Sequence, residues 1–154
     1  MKYLKTNESV AGINKLQSYC ENNLSYLTDM GCDIEVNEIN RRHSTDHYEI
    51  LIKRMKPSDY NSYNPFTWQE VMYDIIPFII QLDKEFILLP MQPSGRVEIL
   101  EINHTDNRYD TTNTYYSMDE LTDSNTDFDA LYDVRIYILR IRVSKQSPKL
   151  RYLR

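Results

Sequence analysis

His43 and His47 lie four residues apart around Asp46, in His-Ser-Thr-Asp-His. On a helix that spacing puts two imidazoles on one face, where they could share a metal ion. The segment reads as a polar loop, however, and no third ligand stands nearby in sequence, so a solvated turn is the expectation. His104 sits at the end of a strand-like stretch with nothing to pair it in sequence. Asp123, Asn125 and Asp127 begin like a calcium loop. The match then fails, because Phe128 stands where the loop needs glycine for its turn and Val134 where it needs a bidentate glutamate. A wet, acidic run that caps a short helix accounts for these residues.

Catalytic motifs are missing. The chain has no G-x-S-x-G, no H-E-x-x-H, no G-x-G-x-x-G and no Walker loop, and three glycines leave little material for a phosphate cradle. Paired carboxylates could still meet in space. Cys20 and Cys32 lack metal spacing and occupy apolar-periodic positions, which suits buried free thiols. We therefore expect a non-enzymatic protein with no metal and no cofactor.

The strongest chemical signal is the charge distribution. Residues 1–134 hold 11 Lys and Arg against 23 Asp and Glu, a net of −12. Residues 135–154 hold seven basic residues and no acid. Such a split marks the C-terminal end as a contact for something negative. Arg140 and Arg142 share one face of a strand, and Lys145, Lys149, Arg151 and Arg154 continue beyond it, with Tyr152 placed to stack or fill a groove. These seven residues are the expected partner-binding set. Phosphates would suit them, but the acidic remainder repels a polyanion, and the aromatic density of a single-strand groove is missing. An acidic protein face fits better, including that of a neighbouring copy in a homo-oligomer, whose Asp119–Asp133 stretch could receive the tail. A merely solvated tail is the third reading.

The elements that would position these residues follow from periodicity. Ile13, Leu16, Cys20, Leu24, Leu27 and Met30 form one stripe, which predicts a helix over 10–30 ended by Gly31. Cys32, Ile34 and Val36 alternate with polar residues, which predicts a strand. Asn40–Asp46 reads as a loop, Tyr48–Arg54 as the returning strand, and Pro57–Pro65 as a long loop. Thr67 and Glu70 form a capping box, with Phe66 and Val71 as its hydrophobic staple, and open a second helix. Pro77 predicts a kink or break in it. Phe86–Met91 and Arg96–Asn103 read as a hairpin around Pro93-Ser94-Gly95, with Pro90 marking an edge. His104–Ser117 reads as a polar loop, and Ser117 with Glu120 as the cap of a short helical turn. Val134–Val143, apolar on both faces in its first half, is the expected central strand. The class is α+β, with two main helices packed on one face of a mostly antiparallel sheet of about five strands. The organisation is a short leader over 1–9, one domain over 10–144 and a basic tail over 145–154. The longest apolar run, Ile75–Ile80, is far below the ~20 residues that cross a bilayer. The N-terminus has no signal-peptide core. Neither a membrane contact nor secretion is expected.

The start Met1-Lys2-Tyr3-Leu4-Lys5-Thr6-Asn7-Glu8-Ser9 is similar to short leaders on proteins of large tailed bacteriophages, with Asn7 at the position where those carry an aromatic residue. The helix leading into Gly31-Cys32-Asp33-Ile34-Glu35-Val36, followed by Phe66-Thr67-Trp68-Gln69-Glu70-Val71, resembles small α+β accessory proteins of such phages. That resemblance implies a virion or assembly component, located in the virion or the host cytoplasm and anchored by its basic C-terminal arm. A host-directed inhibitor is the second expectation and a small nucleic-acid binder the third. The third is tested by salt. Removing one cation that neutralises a phosphate lowers the slope of log affinity against log salt by about 0.9, so nucleic-acid binding through the tail predicts a smaller slope after Lys149→Ala and Arg151→Ala. Unchanged binding at every salt concentration excludes the tail as the binding element.

Overall fold

The computed structural model describes residues 2–41, 44–54, 65–91, 95–105, 108–122 and 134–145. Four helices and seven strands follow one another as α1 (Lys2–Asn23), α2 (Ser25–Asp29), β1 (Cys32–Arg41), β2 (Ser44–Arg54), β3 (Phe66–Thr67), α3 (Trp68–Glu85), β4 (Phe86–Leu88), β5 (Val97–Thr105), β6 (Arg108–Tyr116), α4 (Met118–Thr122) and β7 (Arg135–Lys145). The class is α+β with an antiparallel sheet, as the sequence implies. Two strands of two and three residues raise the count above five, and two five-residue helices join the two long ones.

The strand order is β1-β2-β7-β5-β6. β7 is central, as its two apolar faces predict. On one edge it pairs with β2 over Ile138–Ser144 and with β3 at Arg135 and Ile136. On the other it pairs with β5 over Ile136–Ile141 and with β4 over Val143–Lys145. The register with β5 shifts between Leu100 and Glu101, so that Ile138 and Ile136 are successive partners and Tyr137 is passed over. A one-residue bulge of this kind flips the side-chain alternation. It brings Ile136 onto the same buried face as Leu139, Ile141 and Val143.

That face carries the core. Ile50, Ile52, Val97, Ile99, Leu139, Ile141 and Val143 have no measurable exposure. They meet Leu16 and Cys20 from α1, Leu24 from the step between the helices, Leu27 from α2, and Val71, Ile75, Ile79 and Leu82 from α3, in one cluster. The stripe predicted for the first helix is therefore buried at Leu16, Cys20, Leu24 and Leu27.

Several expectations need correction. The predicted first helix is two. Asn23 turns its side-chain amide onto the Tyr19 carbonyl at 2.8 Å. This local bond competes with the helical backbone ladder, and the chain steps at Leu24 (φ −119°, ψ 28°) before α2 resumes. The first of the two begins at Lys2. Gly31 ends the segment with φ +91°, a conformation cheap only for glycine.

The polar stretches 40–46 and 104–117 are largely strand, with β1 and β2 forming one long hairpin and β5 and β6 another. Counting apolar residues misses them. Thr111, Thr112, Thr114, Tyr109, Tyr115 and Tyr116 are β-branched or aromatic, and so favour strands without being aliphatic. The hairpin expected between 86–91 and 96–103 does not form. β4 and β5 instead lie end to end along β7, and the Leu89 N–H donates to the Arg142 carbonyl at 2.8 Å. Phe86, Leu88, Val97 and Ile99 all need the one dry face, and β7 gives both segments a partner there. Pro90, lacking an N–H, ends the first. The helix α3 continues through Pro77 without a break. The carbonyl that Pro77 leaves unbonded belongs to Tyr73, on the wet side of the helix, where water can satisfy it.

Both capping boxes are present. In α3 the Thr67 N–H donates to Glu70 Oε2 at 3.4 Å. At α4 the Ser117 N–H donates to Glu120 Oε1, and the Glu120 N–H to Ser117 Oγ, each at 3.1 Å.

Burial pushes the Cys20 thiol up to about 12, with Glu21 adding to the effect, and Tyr19 likewise to about 12, with Glu85 adding. Cys32 is also raised, chiefly by burial. Both cysteines are free and buried, so neither is a nucleophile at neutral pH. A folded-state pKa above the unfolded one stabilises below the unfolded value and loses that contribution as pH climbs through the folded one. Stability should therefore fall from about pH 9 towards 12, and Cys20→Ala should flatten that decline in urea titrations run across the window. An unchanged decline contradicts the assignment. Truncating Ile141 to Ala at the centre of the sheet should cost about 3–4 kcal/mol in the same assay.

Candidate protein-docking face of the sheet

The second face of the sheet is built by the same alternation that buries the first. Between Tyr48, Ile50 and Ile52 stand Glu49 and Leu51; between Val97 and Ile99 stands Glu98; between Leu139, Ile141 and Val143 stand Arg140 and Arg142. Strand register lines them up across the sheet. Leu51, Arg140, Glu98 and Tyr115 form one row, and Lys53, Ile138, Leu100 and Asn113 the next. Among the described residues no helix covers this face. Glu35, Leu51, Leu100, Tyr115 and Ile138 are all half-buried there.

A ladder of charges crosses it. Arg140 Nη1 donates to Glu98 Oε1 at 2.8 Å, and Arg140 Nε lies 3.6 Å from Glu49 Oε1. Arg142 Nε donates to the other oxygen, Glu49 Oε2, at 3.1 Å. Lys53 Nζ is 3.2 Å from Glu35 Oε1. The acids of the arginine cluster are the deeper members. The Glu98 side chain is 9% exposed and that of Glu49 16%, against 30% for each arginine. Two carboxylates this far from water need their guanidinium partners.

Arg140 and Arg142, the first two residues of the expected partner-binding set, are thus tied within the sheet, and their charge is largely neutralised by Glu49 and Glu98. Lys145 is exposed at the end of β7. Lys149, Arg151, Tyr152 and Arg154 lie outside the described residues, as do His43 and 123–133, which hold most of the acidic face and the calcium-like run. His47 lies in β2 opposite Ile39 and Ser144, and its Nδ1 is buried with no hydrogen bond among the described residues. No group of three or more His, Cys, Asp or Glu among the described residues could hold a metal ion. No described helix is long and apolar enough to cross a membrane. Sequence reasoning missed Glu49 and Glu98, which stand 93 and 42 residues from their arginines. The signal that could have found them is an acid set between apolar residues in each strand, Tyr48-Glu49-Ile50 and Val97-Glu98-Ile99, the mirror of Arg140 and Arg142 in β7.

The described part of the face offers half-buried apolar area among fixed, paired charges. No protein-family model matches the chain, and the comparisons with curated proteins and with solved structures gave no match.

The ladder makes a graded prediction. Arg140→Gln leaves the Glu98 carboxylate buried without its cation and should cost about 2 kcal/mol in urea unfolding. Lys53→Gln breaks a wetter pair and should cost less than about 0.5 kcal/mol. Adding Glu98→Gln to Arg140→Gln should recover part of the loss. Equal costs for the two single variants would show that burial does not set the strength of these pairs.

Proposed function

We propose that this chain is a non-enzymatic accessory protein that works by binding another protein through the face of its sheet that no described helix covers. The observation that carries this reading is the commitment of Arg140 and Arg142 to Glu49 and Glu98. A nucleic-acid backbone would have to displace those carboxylates to reach the guanidinium groups. A protein partner need not do so, since it can bury the neutralised ladder together with Leu51, Leu100, Ile138 and Tyr115. Fixed, prepaired charges also supply register at little entropic cost. The likeness of the sequence to small phage proteins supports a virion or its assembly as the setting. The basic residues from Lys145 onward would then be a second anchor beside the face.

The test uses three baits: the full chain, a Leu51→Glu plus Leu100→Glu variant, and a chain ending at Lys145. Both leucines are half-buried on the face that no described helix covers, and circular dichroism checks that the double variant keeps its fold. Ending at Lys145 leaves β7 whole, which matters because Val143, Ser144 and Lys145 pair with β4. Partners captured by the full chain should bind the face variant at least ten-fold more weakly. Full capture by a folded face variant refutes the sheet face as the contact. Loss only on truncation moves the contact to the basic segment.

A further inference from the structure

β1 is one edge of the sheet and β6 the other. An edge strand carries a row of backbone N–H and C=O groups with which a further strand can pair. Along β1 that row is partly taken, because Gln17 Nε2 on α1 donates to the Ile34 carbonyl at 3.3 Å. β1 also holds Asp33, Glu35 and Glu38 against Arg41 alone, so a second β1 beside it would set acid near acid. β6 differs. Its sequence, Arg-Tyr-Asp-Thr-Thr-Asn-Thr-Tyr-Tyr, has one acid, one base, six β-branched or aromatic residues, and no proline, glycine or lysine to blunt it. Among the described residues no strand pairs with its outer side. The direction of its backbone groups follows from β5. The Arg96 N–H donates to the Tyr116 carbonyl at 2.9 Å, so Tyr116 turns its backbone inwards. Tyr116, Thr114 and Thr112 pair with Val97, Ile99 and Glu101. Direction alternates along a strand, so the N–H and C=O groups of Tyr109, Thr111, Asn113 and Tyr115 point away from β5.

We infer that β6 pairs with β6 of a second copy, antiparallel, about a two-fold axis through Thr112. Three observations choose that occupant. The first is register. Thr112 is the midpoint of Arg108–Tyr116, and about it Tyr115 meets the partner's Tyr109 and Asn113 the partner's Thr111. Outward backbone groups thus meet outward ones, and about eight hydrogen bonds close. The second is charge. β6 sums to zero, and this register sets Arg108 against Tyr116 and Asp110 against Thr114, with no like charges opposite. The third is closure. An isologous pair uses up both β6 edges and leaves only the two acidic β1 edges outside, so assembly stops at two copies. The axis stands normal to the sheet, and the faces that no described helix covers then lie side by side. A partner with repeated sites is held at two points. The pairing does not rest on what that face binds.

Sedimentation velocity of the full chain over about a hundred-fold range of concentration reads the association. The dimer should grow with concentration and go no further. Each copy carries a net charge of −5 and the contact is made by backbone groups, so the dimer should hold or tighten as salt rises. Asn113→Pro removes an N–H that points away from β5, a change an edge strand tolerates. Two bonds are lost per dimer, which should weaken it about ten-fold while circular dichroism is unchanged. Thr112→Cys sets the two introduced thiols opposite each other with Cα atoms about 4.5 Å apart, within disulfide reach, so mild oxidation should cross-link the copies. Thr114→Cys, roughly 14 Å from its symmetry mate, should not cross-link. Cys20 and Cys32 are buried and stay silent. A monomer at every concentration overturns the pairing. So does a folded Asn113→Pro chain that dimerises unchanged. A dimer that dissociates as salt rises belongs to a charge contact and overturns it equally. Cross-linking no faster at 112 than at 114 overturns the register, and this comparison decides alone if Asn113→Pro fails to fold.

Discussion

Everything in this fold hangs on β7. Four other strands pair with it, two along each edge. β2 and β5, each the inner member of a long hairpin, become neighbours in one sheet because both pair with residues 136–144. The short strands β3 and β4 pair with β7 as well, and they fix where α3 begins and ends. A two- or three-residue strand is not stable alone. The ends of α3 are therefore set by backbone bonds to β7 as much as by its capping box.

The same strand explains why the two faces of the sheet differ so completely. Leu139, Ile141 and Val143 gain from the helices, while Arg140 and Arg142, one residue along in each case, cannot be buried without counter-charges. Glu49 and Glu98 supply them from the two strands that flank β7. The ladder is thus a cross-strand lock, aligned by the same register that aligns the core. A slip of one residue would put arginines in the apolar layer and isoleucines outside, so each face penalises the error on the other. The Tyr137 bulge keeps this two-sided arrangement intact while allowing Ile136 to rejoin the core where β3 approaches.

Such a plan has a folding consequence. β7 is the last described element in the chain, and its pairings with β2 and β5 span roughly 40 to 100 residues. Pairings this distant close late and slowly. Until they close, the inner face of the β5–β6 hairpin and much of the stripe of α3 lack the central strand they pack around in the finished fold. The acidic bias of residues 1–134 adds like-charge repulsion among such unfinished chains.

By itself the sequence determined local matters: the α3 cap at Thr67, the stop at Gly31, the helical stripes, the apolar identity of β7 and the α+β class. Each depends on residues within one turn or a few positions, where capping, backbone freedom and periodicity act directly. It also announced that positive charge gathers at one end. Tertiary structure decided what that charge does in β7, because the carboxylates that neutralise Arg140 and Arg142 come from other strands and become neighbours only through register. It likewise decided that Phe86–Leu88 and Val97–Thr105 share an edge of β7 instead of pairing with each other, and that the Thr- and Tyr-rich stretch before Ser117 is a strand. Strand pairing is a choice among distant partners competing for one dry surface, and no local pattern records which of them wins.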